Sequence, residues 1–362
     1  MPTKEFLYGV IISSLFYYIF QNFITYDLLG VIDQLHPQTS LLLRPLQPQS
    51  DVRNTCRIVS GWRAMDSIRE NSVYYQQDPL AIFLAGSDVI HSVTVEAPQV
   101  YRTPAADNEI HSVTLRQLAI DNRIIKSCKD NDKPIRQVVL IGSGMDTRSY
   151  RLALPDVHWF EIDMPEVIAL KEDLLENGSI PQKLLTLGVK ECTRIAFNLK
   201  DSTNLSSELP DVLASHGHHA NEPTLFLMEG LLMYLSPTDI QNLMDGVLPA
   251  VAPHSRVIMT QVSFMYHYLL TNPLVIFLIE QFSNSKSHKI GTLFKSNTFS
   301  MRLGPEWRVR LTRNVGVEMM EDFNLTQWQP KGHVAGSPPQ VVSTAESVLE
   351  VELSADRAYC EE

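Results

Sequence analysis

The sequence predicts an α/β fold of Rossmann-like type, a parallel sheet with helices on both faces, together with an N-terminal apolar helix and a helical cap. Three observations lead there. Apolar runs at about 137–142, 157–163, 194–199, 223–229 and 256–262 are separated by helical patterns at 165–177 and 236–249, and this alternation suits a parallel sheet covered on both faces. The first run ends in the small-residue turn Gly142-Ser143-Gly144. Of the 362 residues, 44% are hydrophobic, enough to fill one large core with additions.

Taken in order, the chain begins with an apolar head, residues 1–34. Residues 6–26, FLYGVIISSLFYYIFQNFITY, carry no charge, a length sufficient to cross a hydrocarbon core. A membrane anchor is therefore expected, so the keywords membrane and transmembrane helix apply, with a packed helix or a cleaved signal sequence as the competing readings. Residues 35–52 hold Pro37, Pro45 and Pro48 among polar residues and read as a linker to a catalytic domain over 53–362. Helical spacing follows at 56–70, 76–84 and 112–129, the last ending before the loop Asp130–Pro134. The stretch 263–300, rich in aromatic and aliphatic residues, reads equally as a cap over the site or a helix packed on the sheet. Beyond residue 335 the chain reads as one or two terminal strands with a frayed end.

Between strands 137–142 and 157–163 the turn gives the sheet its chemistry. Gly142 and Gly144 lack the Cβ that would keep a ligand from the backbone, and a helix opening near Asp146 presents free N–H groups. Asp163 ends the next strand about twenty residues on, the position that binds ribose hydroxyls in nucleotide-binding βαβ units. A dinucleotide site wants a third glycine where Thr147 stands, and Asp146 would place a negative charge against a diphosphate. A cofactor with a ribose and a cationic centre but no phosphate, such as S-adenosyl-L-methionine, fits this turn better.

The segments RQLAID (116–121), QVVLIGSGMDTRSYR (137–151), FEIDMPEV (160–167), RIAFNLKD (194–201) and PTLFLMEGLLMYLSP (223–237) resemble, in order and spacing, the leucine carboxyl methyltransferase-like family of S-adenosylmethionine-dependent methyltransferases. The resemblance covers roughly residues 60–265. It implies a methyltransferase-type Rossmann-like fold and methyl transfer to a protein C-terminal carboxylate or to a small oxygen nucleophile. It further implies that Arg116 pairs with the cofactor's carboxylate, as a planar guanidinium does well. Arg63 resembles a second family position near the cofactor or substrate entrance. Gly142 and Gly144 would lie against the methionyl portion and Asp163 on the ribose. Asn198 and Leu199 correspond to an acid-leucine pair beside adenine, with asparagine standing where relatives carry the acid. Glu229 ends an otherwise apolar strand, where a carboxylate is costly without a cation or donors, and the cofactor's ammonium is its expected partner. No catalytic base stands out: His267, in the cap stretch, reads more naturally as a packed residue.

A formal charge of −11 and the lack of a basic cluster argue against a nucleic-acid substrate. Cys56, Cys128, Cys192 and Cys360 show neither a C-x-x-C pair nor zinc-ligand spacing, which suggests thiols in a reducing, cytoplasmic setting and no metal site. The leading expectation is an O-methyltransferase for a hydroxyl or carboxylate of a small molecule. Protein carboxyl methylation, a nicotinamide-dependent oxidoreductase and a non-catalytic cofactor-binding protein are the alternatives.

Overall fold

The computed structural model describes residues 52–68, 78–91, 104–186, 191–200, 204–262, 307–314 and 346–353. Its centre is a seven-stranded sheet of order β3-β2-β1-β4-β5-β7-β6. The strands are β1 Gln137–Ile141, β2 His158–Asp163, β3 Glu191–Ala196, β4 Thr224–Met228, β5 Arg256–Val262, β6 Trp307–Asn314 and β7 Glu346–Leu353. The first five are parallel to one another. β7 pairs antiparallel with β5, and β6 antiparallel with β7.

The central strands are largely apolar on both faces, with Glu161 of β2 a buried exception, and successive residues feed two separate cores. Val139, Ile141, Phe160, Ile162, Phe226, Met228, Val257 and Met259 pack on one side, against Leu205, Leu209 and Leu213 of helix α8 (Leu205–Ser215) and Ile240, Leu243 and Met244 of helix α9 (Pro237–Val247). Val138, Leu140, Trp159, Leu225, Leu227 and Ile258 pack on the other, against Ala119, Ile120 and Ile124 of helix α4 (Pro104–Cys128). A smaller cluster joins Leu80, Leu84 and Met145. It ties helices α1 (Val52–Ile68) and α2 (Ala81–Ala85) to the end of the turn after β1, close to helices α5 (Arg148–Arg151), α6 (Pro165–Asn177) and α7 (Gln182–Leu185), while α3 (Ser87–His91) packs on α1 and α2.

Several expectations need correction. The sheet is mixed: β6 and β7 add an antiparallel pair to the five parallel strands. WRVRLTRN carries no continuous apolar run, only a short apolar-polar alternation, and a register shift between Val309 and Leu311 interrupts that alternation against β7. Helix α8 also went unread. Pro210 sits inside it, a residue that removes one helical hydrogen bond, yet Leu205, Leu209 and Leu213 still form a buried stripe that outweighs the loss. The transmembrane helix is withdrawn: among the described residues no helix is long and apolar enough to cross a membrane. Helix α4, the longest of them at 25 residues, is interrupted by charged residues such as Arg116, Asp121 and Arg123. Residues 6–26, positions 35–51 of the linker read at 35–52, and the cap stretch 263–300 lie outside the described residues.

Candidate functional site

The strand order reverses between β1 and β4, and in open α/β sheets the crevice beyond the carboxyl ends at such a point receives ligands. The turn after β1 and Glu229 after β4 flank that crevice. Gly142 and Ser143 both donate their backbone N–H to the Ile162 carbonyl, at 2.9 and 3.0 Å, so the turn stays tied to β2. Gly142 has φ +69° and Gly144 φ +47°, in the left-handed region that side-chain-bearing residues rarely adopt. A Cβ at Gly142 would stand 2.9 Å from Leu231 Cδ1, and one at Gly144 2.9 Å from Cys56 Cβ.

Asp163 closes the turn from the neighbouring strand. Its Oδ2 accepts the Gly144 N–H at 2.7 Å and its Oδ1 the Met164 N–H at 2.7 Å. Burial nevertheless prevails over these bonds and pushes the carboxyl above its usual range. The Phe197 N–H donates to the Asp163 carbonyl at 2.8 Å, which sets half-buried Asn198 and Leu199 beside it at the end of β3. Leu199 packs on the core, and Asn198 Oδ1 accepts the Lys200 N–H at 3.1 Å.

Around the turn lies a buried network of arginines and carboxylates. Arg116 Nε donates to Glu229 Oε1 at 2.7 Å, and Arg148 Nη1 lies 2.7 Å from Glu229 Oε2. Arg148 also donates Nε to Asp121 Oδ1 at 2.6 Å and Nη1 to Asp146 Oδ2, while Arg151 Nη1 donates to Asp121 Oδ2. Arg63 reaches from α1 to the Met145 carbonyl and to Ser60 Oγ at 3.3 Å, and stands 3.8 Å from Asp78. Asp78 in turn accepts from Thr147 Oγ1 at 2.7 Å and Gln117 Nε2 at 3.2 Å. Burial opposes the charge on Glu229, but Arg148 and Arg116 prevail and hold its carboxyl below the usual range. For Asp146 the same contest, with Arg148, Arg63 and Lys171 against burial, ends at a pKa of about 2.

A second buried set supports the turn from beneath. Lys171 Nζ donates to the Asp146 carbonyl and to Glu161 Oε2, each at 2.7 Å. Glu161 also accepts from Ser149 Oγ at 3.0 Å and Arg194 Nε at 3.2 Å.

All the residues singled out from the sequence (Arg63, Arg116, Gly142, Gly144, Asp163, Asn198, Leu199 and Glu229) therefore lie on or beside the carboxyl ends of β1–β4. Arg63 grips the turn's own backbone at the Met145 carbonyl. His267 lies outside the described residues. His158, His218, His219 and His254 sit at or just before the starts of β2, β4 and β5, the opposite end of the sheet. Sequence reasoning missed Asp78, Asp121, Arg148, Arg151, Glu161 and Lys171. The one sign available was the pairing of opposite charges within Asp146-Thr147-Arg148.

The family described as leucine carboxyl methyltransferase matches residues 57–248. Three bacterial relatives bear the name "Putative S-adenosyl-L-methionine-dependent methyltransferase". One from Mycolicibacterium vanbaalenii is 35% identical over 147 residues, 40% of this chain and 44% of that protein. One from Frankia alni is 29% identical over 56% of this chain and 66% of its own length, and one from Streptomyces coelicolor 31% identical over 59% and 70%. The match thus spans less than two thirds of the first two relatives.

Proposed function

This chain belongs to the leucine carboxyl methyltransferase family, and we propose that it is an S-adenosyl-L-methionine-dependent O-methyltransferase acting on a hydroxyl or carboxylate of a small molecule. The observation that carries the reading is the placement of two carboxylates, Asp163 at the end of β2 and Glu229 just after β4, on either side of the left-handed glycine turn after β1. Asp163 would take the ribose, and Asn198 and Leu199 the adenine. Gly142 and Gly144 would face the methionyl chain, with Glu229 at its ammonium and Arg116 at its carboxylate. Asp146, held ionised in the turn, would repel a diphosphate, which speaks against a nicotinamide dinucleotide.

When bound, this cofactor supplies a methyl group already activated by a sulfonium. The protein's work is then to hold donor and acceptor in line. A carboxylate acceptor arrives ionised, whereas a hydroxyl must lose its proton to a base. The preference for a small acceptor rests on the apolar stretch 263–282. Methylation of a protein C-terminal carboxylate is the second reading, favoured by the family's description.

Purified protein would be incubated with methyl-labelled cofactor and a cell extract, and the label followed into small-molecule and protein fractions. Label in a small-molecule ether or ester is the expected result. Base-labile label on protein would favour the second reading. Failure to bind the cofactor in calorimetry would overturn both.

A further inference from the structure

We infer that Arg148 is a positioning residue for the cofactor's amino-acid end: it locks Glu229 to the glycine turn so that the carboxylate meets the ammonium in a fixed place. The inference rests on the cofactor reading above and extends it to a residue that would not itself touch the ligand.

Arg148 is the first residue of α5 and is 1% exposed. Its guanidinium faces carboxylates from three parts of the chain: Asp121 of α4, Asp146 of the turn and Glu229 beyond β4. Each end of this arrangement is anchored again. Asp121 is held by Arg151, and Glu229 by Arg116 from the same helix that supplies Asp121. Glu229 is therefore gripped at both oxygens, Oε1 by Arg116 and Oε2 by Arg148. A carboxylate oxygen has two acceptor sites, so one remains on each for an incoming ammonium.

The geometry also accounts for the residue type. A planar fork can reach Asp121 through Nε and Glu229 through Nη1 at once, whereas a lysine offers one point charge. Loss of this partner would leave a part-buried carboxylate with less positive charge near it, and such a group tends to take up a proton. The charged groups acting on Glu229 are Arg148, Arg116 and Arg63, which favour its ionised form, and Asp146, which opposes it. With Arg148 gone, Glu229 would become neutral on mild acidification and could no longer balance an ammonium.

The test is calorimetry on the full chain with two probes, S-adenosylhomocysteine, which has the amino-acid end, and 5′-methylthioadenosine, which lacks it. Asp163 would serve the ribose of both, so the ratio of the two affinities isolates the amino-acid end. In wild type this ratio should stay flat from about pH 8 to about pH 5.5, since Glu229 remains charged there. In Arg148→Gln the ratio should fall about tenfold at the upper pH and about tenfold further at the lower, with methylthioadenosine binding within about twofold of wild type. Arg148→Lys keeps the charge but not the fork, so it should lose affinity for S-adenosylhomocysteine with a weaker pH dependence. Should Arg148→Gln not fold, a selective loss in Arg148→Lys still supports the role. Equal losses for both probes, or a ratio that tracks wild type across pH, would overturn it and leave Arg148 a structural ion pair. Wild-type protein that binds neither probe would instead strike the cofactor reading, and this inference with it.

Discussion

Arg116 Nε lies 2.7 Å from Glu229 Oε1, so the two residues assigned to opposite charges of one ligand are already partners of each other. Neither stands alone in the site. Arg116→Ala and Glu229→Ala should each cost about 2–4 kcal/mol in cofactor binding, because each leaves a desolvated charge poorly matched. Their effects should be markedly non-additive. Glu229→Ala should also lower the melting temperature more than Arg116→Ala, since it deprives Arg116 and Arg148 of an anion together. Calorimetry and thermal melts on the double-mutant cycle check this, and simple additivity would show that the two residues act separately.

Asp163 holds two backbone N–H groups, of Gly144 and Met164, on its two oxygens. In Asp163→Asn the amide nitrogen cannot accept a hydrogen bond, so one of the two donors is stranded at a cost of about 1–3 kcal/mol in stability. The ribose would meet a weaker acceptor as well. Cofactor affinity is expected to drop about tenfold or more, and adenosine affinity by a similar factor. An Asp163→Asn protein that binds adenosine as wild type does would remove Asp163 from the ribose.

A methyl group at position 142 meets two obstacles of different kinds. The φ of +69° costs roughly 1–2 kcal/mol for an L-residue, and the new Cβ would sit 2.9 Å from Leu231 Cδ1. Gly142→Ala should therefore destabilise the fold and weaken cofactor binding. Adding Leu231→Ala relieves only the steric part, so Gly142→Ala/Leu231→Ala should be better folded than the sum of its single changes predicts. Urea unfolding of the three variants measures the difference, and strict additivity would mean that Leu231 simply moves aside.

The parts of this site legible in the sequence are those that break a local pattern. Gly142 and Gly144 interrupt an apolar strand, and Asp163 and Glu229 each end one with an acid, so burial and function can be argued from position alone. QVVLI and TLFLM are buried throughout, which is why their strands were placed to within a residue or two. Arg148, Asp121 and Lys171 break nothing. A lysine in PEVIALKEDLLEN reads as one more solvated helix charge, yet it is 0% exposed, because its partner Glu161 comes from a strand and the Asp146 carbonyl from a turn. Such pairings depend on the tertiary arrangement, and single-chain periodicity does not carry them. The same holds for β6, which is a strand through its pairing with β7.

Asp146 should make the fold sensitive to strong acid. Burial works against its charge, but Arg148, with Arg63 and Lys171, pulls the carboxyl from 3.8 down to about 2. A folded-state value below the unfolded one gives stability that is fully present above about pH 4 and is lost as pH falls towards 2, about 2 kcal/mol in all. Asp146→Asn keeps an oxygen for the Arg148 backbone N–H, which donates to Asp146 Oδ1 at 2.7 Å, and loses the charge. Its stability difference from wild type, measured by urea unfolding, should therefore shrink between about pH 4.5 and about pH 2.5. A difference that stays constant over that window would show that Asp146 is not stabilised as an anion.

Lys171 and Glu161, both 0% exposed and 2.7 Å apart, form a buried pair whose net worth can be separated from its cost. Lys171→Met leaves Glu161 with Arg194 and Ser149 alone, and takes the donor from the Asp146 carbonyl as well. Breaking a buried pair from one side typically costs about 3–5 kcal/mol. Glu161→Gln in the same chain removes the stranded charge, so Lys171→Met/Glu161→Gln should recover a good part of that loss, with a coupling of about 1–3 kcal/mol. Cofactor binding should recover less than stability does. The glycine turn still lacks its support at the Asp146 carbonyl in both variants, and a loosened turn misplaces the Gly144 N–H against Asp163. If the double variant is as unstable as Lys171→Met alone, Glu161 was not the stranded group and Arg194 is its principal partner. If affinity recovers fully along with stability, the lysine serves the fold and the turn holds its shape without it.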